Sequence, residues 1–225
     1  MRTVLFLFSL FGILLSVYSK NKPNYQTVSI FYGITEQTEP IGQGREINLY
    51  SSIFMVPKGV LGIGAHKYIK LNRSFSLGGG ISYYYRSLGF KIGRRSQAGS
   101  NFELKYDAKD VFYLRQHMVH IDQSIRFEMN KIFKFDIGLF ENISLYNTYT
   151  NPILASEALS PFNSGSDRRV KNFELGINVK PLFRLKKIEI GIPINIGITK
   201  VLYDWQNPMF VKTRTLGLSL AWILK

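Results

Sequence analysis

Residues 186–200, KKIEIGIPINIGITK, alternate between isoleucine and small or polar residues, with isoleucine at every second position from Ile188 to Ile198. A period of two predicts a β-strand with one apolar face and one small or polar face. The period does not tell which face is inside, because a soluble sandwich turns its isoleucines inward whereas a membrane barrel turns them toward lipid. Pro193 lacks the N–H of a ladder hydrogen bond, and we therefore expect a β-bulge at this position.

The same alternation recurs along the chain and predicts eight strands in an all-β fold. They cover residues 27–34, 59–69, 74–86, 118–128, 132–147, 172–183, 186–200 and 213–224. No segment shows the i, i+3, i+4, i+7 apolar pattern of a helix over three turns. Residues 45–56 leave alternatives open: they extend the second strand, belong to the first loop, or form two extra strands of a wider, ten-stranded barrel.

The links between the predicted strands alternate in length. Short links (KLNRS, MNK and RLKK) follow the second, fourth and sixth strands, whereas longer links follow the others, including those at 88–110 and 148–169. Outer-membrane barrels combine tight periplasmic turns with long external loops, and a Greek-key sandwich does not sort its loops in this way. We therefore predict a closed, antiparallel, up-and-down transmembrane β-barrel of eight strands.

The face opposite the apolar stripe carries both charge and glycine. Glycine weakens a solvated strand, but inside a narrow barrel it makes room for large inward side chains such as Tyr84, Arg126 or Phe140. We expect Asp122 and Glu128 to pair with Arg126 and His120 inside the barrel. The predicted lumen network, which plugs the barrel, consists of His120, Asp122, Arg126, Glu128, Lys134, Asp136, Glu174, Lys180 and Glu189.

Aromatic residues cluster near both ends of the predicted strands. Those toward the long links are Tyr83, Tyr85, Tyr146, Tyr149, Tyr203, Trp205 and Phe210. Those toward the short turns or the final strand end are Phe75, Phe133, Phe183 and Trp222. Two aromatic girdles, together with strands of about ten or more residues, are typical of membrane barrels. Both features favour the orientation in which the isoleucines face lipid.

The first residues, MRTVLFLFSLFGILLSVYSK, have the form of a secretory signal peptide. Arg2 precedes an apolar run, 4–17, that is too short to span a membrane comfortably, and Ser19 offers a small-residue cleavage site. We expect residues 1–19 to be a signal peptide and residues 20–225 to form one outer-membrane barrel domain.

The amino-acid composition limits the classes of partner that we expect for this chain. The chain has no cysteine and a formal net charge of +14. Without cysteine there is neither a disulfide nor a lipoprotein anchor, so a large core or a membrane must stabilise the exported chain. Positive charge alone would suggest nucleic acid, but export makes that partner unexpected. We expect membrane lipids and lipopolysaccharide as partners, and the sequence does not identify any protein partner in the envelope.

Three pairs of strands carry a resemblance to known proteins. They are GVLGIGAHKYI with RSFSLGGGISYYYR, the segment SIRFEMNKIFKFDIGLF, and FELGINVKPLFRLKKIEIGIPINIGITKVL, whose run Asn195, Gly197, Ile198 and Thr199 is the most specific part. From about Gly59 onward the chain resembles the small outer-membrane β-barrel families grouped as OmpA-like or PorT-like. The chain departs from many outer-membrane proteins at its end, because Lys225 replaces the usual terminal aromatic residue.

Two patterns near 117–124 (HMVHIDQS) suggest chemistry. His120, Asp122 and Ser124 share one strand face, as a hydrolase triad would, but residues two apart point in parallel about 6–7 Å apart and cannot form a compact relay. His117 and His120 lie on opposite faces and cannot chelate one metal ion without a bulge. We therefore expect no catalytic set, no cofactor and no metal site.

The remaining candidates are cations in the predicted external loops. Arg94, Arg95, Arg168 and Arg169 are either solvated loop charges or contacts to lipopolysaccharide phosphates. The sequence favours a structural or interaction protein, acting as an adhesin or scaffold through its loops and not as an enzyme. The alternatives are a narrow pore for small solutes or hydrophobic molecules, a lipid A-modifying enzyme, and a soluble secreted β protein.

Overall fold

A computed structural model describes residues 24–37, 51–56, 58–98, 101–105, 111–149, 169–170, 172–199, 202–203 and 212–224. The predicted signal peptide lies outside this part of the chain. The strands are β1 (Asn24–Gln37), β2 (Ser51–Val56), β3 (Lys58–Lys70), β4 (Phe75–Ala98), β5 (Asn101–Lys105), β6 (Val111–Glu128), β7 (Phe133–Tyr149), β8 (Arg169–Val170), β9 (Phe173–Leu185), β10 (Ile188–Gly191), β11 (Ile194–Gly197), β12 (Leu202–Tyr203) and β13 (Thr213–Leu224). The described residues include no helix long and apolar enough to cross a membrane.

The strands form a closed antiparallel barrel with eight positions, as the sequence predicts. Its order is β1, β3, β4, β6, β7, β9, β10 with β11, and β13, and β13 pairs with β1 to close the ring. The closing pair is antiparallel and extends from Gln26 opposite Leu224 to Gln37 opposite Thr213. Consecutive barrel strands are neighbours throughout, which is an up-and-down topology.

The strands are staggered around the ring. A row of partners that starts at Leu224 passes through Gln26, Lys67, Gly79, Gln123, Leu139, Ile177 and Ile196, and returns to β13 at Arg214, ten residues from its start. Eight strands with this stagger tilt by about 40° and leave an interior just wide enough for side chains to fill.

The barrel has eight strands and not ten, because the extra segments extend existing strands. β2 pairs with the far half of β4, in line with β3, and β5 pairs with β4 in line with β6. Residues 51–56 therefore prolong the second predicted strand. The expected twenty-residue link at 88–110 is wrong, because β4 continues to Ala98 and pairs with β5.

The two faces of the wall differ as the alternation predicts. Glu189, Gly191, Pro193, Asn195 and Gly197 are buried on the inner face of β10 and β11. The outer face is predominantly apolar on every strand of the ring, and its exposed side chains include Val28, Ile30, Ile34, Leu61, Ile63, Ile81, Ile125, Ile137, Leu139, Ile143, Ile177, Ile192, Ile196, Leu216, Leu218 and Leu220. A continuous apolar outer wall around a polar interior is the arrangement of a transmembrane barrel.

Aromatic residues flank this apolar belt. Near the short turns, Phe75 packs edge-on against Phe127, and Phe133 packs against Phe183, each with ring centroids 5.2 Å apart. Near the opposite end, the rings of Tyr85 and Tyr146 lie 5.2 and 6.0 Å from the imidazole of His117. Such rings occupy the two membrane interfaces of a barrel.

The bulge expected at Pro193 does not form. β10 and β11 keep one register with β9 and with β13, and the carbonyl of Pro193 accepts a hydrogen bond from the Gly217 N–H at 3.1 Å. Proline has no N–H to return, so the ladder loses one hydrogen bond and the strand is divided into β10 and β11. Regular pairing on both sides holds the register across the gap.

Three short turns close one end of the barrel. The side-chain carbonyl of Asn72 accepts from the backbone N–H groups of Ser74 and Phe75, at 2.8 and 2.9 Å, between β3 and β4. Asn130 makes the equivalent turn between β6 and β7. The two-residue turn between β9 and β10 places Lys186 at φ 56°, as tight hairpins require. The strand ends that the longer links join lie at the other end.

The lipid-facing role of the outer wall predicts a depth-dependent penalty for charge. Leu218 lies midway between Trp222 and Arg214 on the outer face of β13, and replacing it by arginine should cost about 2–4 kcal/mol of unfolding free energy in a bilayer. The same replacement at Leu224, at the strand end, should cost about 0–1 kcal/mol. Equilibrium denaturant titration of both variants in liposomes measures the difference. Equal, small effects would mean that this face contacts water.

Candidate functional site

The lumen holds the candidate site, and its lowest layer is built on Arg126. The guanidinium is fully buried and donates to both carboxylate oxygens of Asp136, at 2.6 and 2.8 Å. It also donates to both oxygens of Glu189, at 3.1 and 2.9 Å, and to the hydroxyl of Tyr25 at 2.6 Å. Its carbon lies 3.7 Å from the ring centroid of Tyr68. We call these five residues the Arg126 cluster.

A second cation extends this cluster toward the short turns. The Lys134 ammonium is 3.4 Å from Glu189 and 3.8 Å from Glu128, and Glu128 also accepts a hydrogen bond from Lys70 at 3.3 Å. Charges therefore alternate in sign across the bottom of the lumen. Alternation matters here because a buried charge without a partner is strongly destabilising.

The middle layer contains two histidines and one carboxylate. His66 Nε2 lies 2.7 Å from Asp122 Oδ2, and His120 Nε2 lies 4.0 Å from the same oxygen. His120 Nδ1 bonds the side-chain oxygen of Asn142 at 2.7 Å, and the Asn142 amide donates to Glu174 at 2.8 Å. Because Asn142 presents its oxygen to the ring, His120 Nδ1 carries the proton of this contact.

Aromatic rings fill the space around the histidines. Tyr84 stacks on His120 with centroids 4.4 Å apart, and Phe140 stacks on the other side at 5.4 Å. Glycine makes both positions possible: a Cβ at Gly62 would overlap the Tyr84 ring, and a Cβ at Gly176 would overlap Phe140. The predicted use of inner-face glycine to admit Tyr84 and Phe140 is therefore visible in the packing.

The upper layer is centred on Glu174. Its carboxylate accepts from Arg86 at 2.7 Å, from Asn142, and from the hydroxyl of Thr213. Arg86, itself buried, also donates to Gln116 at 3.1 and 2.9 Å. Hydrogen bonds thus link successive layers, because Asn142 contacts both Glu174 and His120.

These layers leave little open space. A cavity of about 20 Å³ lies beside His66, Asp122, Lys180 and Ser219, and Pro193 forms part of its wall. This volume accommodates about one water molecule. The described lumen is therefore filled by side chains and not by a continuous aqueous path.

The structure places all nine residues of the predicted lumen network on the inner wall. Their expected pairing is wrong in part: Arg126 pairs with Asp136 and Glu189 and not with Asp122, whereas Glu128 pairs with Lys70 and Lys134. Strand alternation gives the face of a residue, but the partner across the lumen depends on the stagger of the barrel.

Sequence reasoning missed several members of the network. Arg86 ends the predicted third strand, yet β4 continues twelve residues farther, to Ala98, and Arg86 is buried. The same alternation that places Tyr84 inside also places Arg86 inside. The other missed members are His66, Tyr25, Tyr68, Gln116 and Thr213.

The catalytic and metal patterns do not assemble into a site. His66 bonds Asp122 and His120 bonds Asn142, so neither imidazole hydrogen-bonds Ser124. His117 lies on the outer face, opposite to His120, as the spacing predicts. Within the described ranges, no group of three or more His, Cys, Asp or Glu side chains is arranged to hold a metal ion.

The predicted loop arginines are only partly described. Arg94 and Arg95 belong to β4, opposite Lys105 and Leu104 of β5, and not to a loop as expected. Arg169 lies in β8 opposite Tyr203, and Arg168 falls outside the described residues. Their contact with lipopolysaccharide stays a prediction.

A comparison of the sequence with protein-family models and with curated proteins finds no match. Similar solved structures include Ail, the attachment invasion locus protein of Yersinia pestis, in complex with the heparin analogue sucrose octasulfate. It is 11% identical, with a TM-score of 0.45 over 89% of this chain and 99% of Ail.

OprG, an outer membrane protein of Pseudomonas aeruginosa, is 4% identical, with a TM-score of 0.45 over 89% of this chain and 97% of OprG. An outer membrane channel of Pseudomonas putida F1 is 8% identical, with a TM-score of 0.35 over 92% of this chain and 98% of the channel. At these identities and scores the likenesses carry no information on function, and the fold described above rests on its own strand register.

The Arg126 cluster predicts a large stability loss when its cation is removed. Arg126→Leu strands the carboxylates of Asp136 and Glu189, and should lower the free energy of unfolding by about 3–5 kcal/mol. Adding Asp136→Asn should recover part of this loss, because one stranded charge disappears. Denaturant titration measures both, with Arg73→Ala in the exposed turn as a control that should change stability by less than about 0.5 kcal/mol. A loss in Arg126→Leu no larger than the control would refute the cluster.

Proposed function

We propose that this chain is an outer-membrane β-barrel that is closed to solutes and acts as a structural or interaction protein, an adhesin or scaffold, through its external loops. The observation that carries the proposal is the filled lumen. Three hydrogen-bonded layers centred on Arg126, His120 and Glu174 occupy it, and these three central residues are 0–2% exposed. Such a lumen stiffens the barrel and leaves no passage for solutes.

Two features support the placement in an outer membrane. The apolar outer wall requires a membrane, and the sequence begins with a segment that has the form of a secretory signal peptide. The short turns at 71–74, 129–132 and 186–187 all lie at one end, which in outer-membrane barrels is the periplasmic end. The long links would then face outward and contact partners.

The competing functions have less support. A pore needs a continuous wet path, and a buried ion-pair network spans the described lumen instead. A lipid A-modifying enzyme needs a catalytic set that reaches the lipid-facing wall, whereas His66, His120 and Asp122 point into the lumen among stacked rings. We therefore propose a non-catalytic role, with membrane lipids and lipopolysaccharide as neighbours.

A solute-permeation experiment tests closure. Protein reconstituted into liposomes should give no swelling in isosmotic arabinose and no discrete conductance steps in planar bilayers, because the lumen has no aqueous path. Heat-modifiable gel migration of the same sample checks that the barrel is inserted and folded. Reproducible conductance steps from folded protein would contradict the proposal.

The orientation can be tested by cysteine labelling, since the chain has no native cysteine. Ser164→Cys in the long link should react with a maleimide of about 5 kDa on intact cells, which is too large for porins whose lumens admit only small solutes. The matched variant Arg73→Cys, in a short turn, should react only after lysis. Labelling of Arg73→Cys on intact cells would mean that the barrel has the opposite orientation. Labelling of neither variant on intact cells would refute the proposed placement.

A further inference from the structure

The outer wall of β4, β6 and β7 carries an aromatic–basic cluster that is not part of the hydrogen-bond network in the lumen. Tyr85, His117 and Tyr146 are direct partners across the three strands. The hydroxyl of Tyr83 hydrogen-bonds His117 Nδ1 from the neighbouring position on β4. Arg115 follows His117 on the outer face of β6, one step nearer the long links, and is exposed.

A β-bulge builds this cluster. His117 pairs with Tyr146, but Met118 pairs with Ser144, so Leu145 is left without a partner. Leu145 and Tyr146 are both exposed, at 62% and 61%, although neighbours in a regular strand point to opposite faces. If β7 continued here without the bulge, Tyr146 would point into the lumen. Bulges of this kind re-aim side chains at binding sites.

The outer face of β6 shows where the cluster lies in the membrane. From the short turn upward, its outward positions are Phe127, Ile125, Gln123, Ile121, Val119, His117 and Arg115. The sequence changes from apolar to aromatic–basic at His117, which is the order expected at a boundary between hydrocarbon and head groups. The cluster therefore lies at the head-group level on the side of the long links.

Arg115 is exposed and makes no hydrogen bond or ion pair with any residue that the structure describes. By contrast Arg214, an exposed arginine on the outer face of β13, is already paired with Glu36. No acidic side chain lies at the positions that directly flank Arg115 across the strands, which are Ser87 and Thr148. The chemistry that complements this site is an anion presented at the membrane surface.

We propose that Tyr83, Tyr85, Arg115, His117 and Tyr146 bind the phosphorylated head group of a glycolipid in the outer leaflet. Arg115 and a His117 N–H hold the phosphate oxygens, and the tyrosine rings and hydroxyls contact the sugar and the first apolar part of the lipid. The proposal rests on the proposed outer-membrane placement, since that leaflet supplies phosphorylated glycolipid. The proposed site lies on the barrel wall and does not include the arginines at 94, 95, 168 and 169.

Binding of fluorescent bisphosphoryl lipid A to the purified, folded barrel in detergent micelles tests the proposal. Arg115→Ala should weaken binding about tenfold or more, because a charge-assisted hydrogen bond is lost. Arg214→Ala, the matched control, should bind as the unaltered protein does. Dephosphorylated lipid A should bind weakly to all three proteins, and inorganic phosphate should not displace the lipid. Heat-modifiable migration checks that each variant is folded.

An unchanged affinity of Arg115→Ala for lipid A would refute the proposed site. An equal loss of affinity in Arg214→Ala would mean that general surface charge, and not this site, attracts the lipid. Equally tight binding of dephosphorylated lipid A, or displacement by inorganic phosphate, would overturn the assignment to a lipid phosphate. Since the assay uses purified protein, its result does not depend on whether the lumen conducts or where the protein resides in the cell. Failure here and failure of the proposed function are therefore separate outcomes.

Discussion

Closure of eight strands with a ten-residue stagger is the constraint on which the rest of the structure depends. The ring is so narrow that inward side chains have to fill it, and little water remains to solvate them. Every inward charge must then meet an opposite charge or a hydrogen-bond partner. Arg126 meets this requirement with two carboxylates and a tyrosine hydroxyl, and Glu174 meets it with Arg86, Asn142 and Thr213.

Period-two alternation was sufficient to predict the barrel, because lipid outside and packed polar groups inside impose opposite demands on neighbouring residues. It correctly assigned the six isoleucines of 188–198 to the outer wall. Link lengths predicted the topology, and inner-face glycine predicted the bulky lumen rings. Alternation failed beyond Arg86, where glycine and charge interrupt the pattern although β4 continues to Ala98.

The partners inside the lumen were beyond local sequence reasoning. Arg126 and Glu189 are separated by 63 residues, and Arg86 and Glu174 by 88, so their contact depends on how the ring closes. Backbone irregularities were equally hidden. The proline at 193 suggested a bulge, but Pro193 only removes one hydrogen bond from a continuous ladder, because regular pairing on both sides fixes the register. The real bulge, at Leu145, has no proline or glycine to mark it, and it gives the outer wall Tyr146.

The central property of the barrel wall is that neighbouring residues alternate between lipid and a dry, filled lumen. A nitroxide scan along β13 tests it most directly, because single cysteines can be placed in a chain that has none. In a bilayer, collision with oxygen should peak at Leu216, Leu218 and Leu220, and labels at Thr215 and Ser219 should be shielded from both oxygen and a water-soluble paramagnetic complex. If that complex reached the inner positions, the lumen would be open to water. If it reached the leucines, the outer wall would not face lipid.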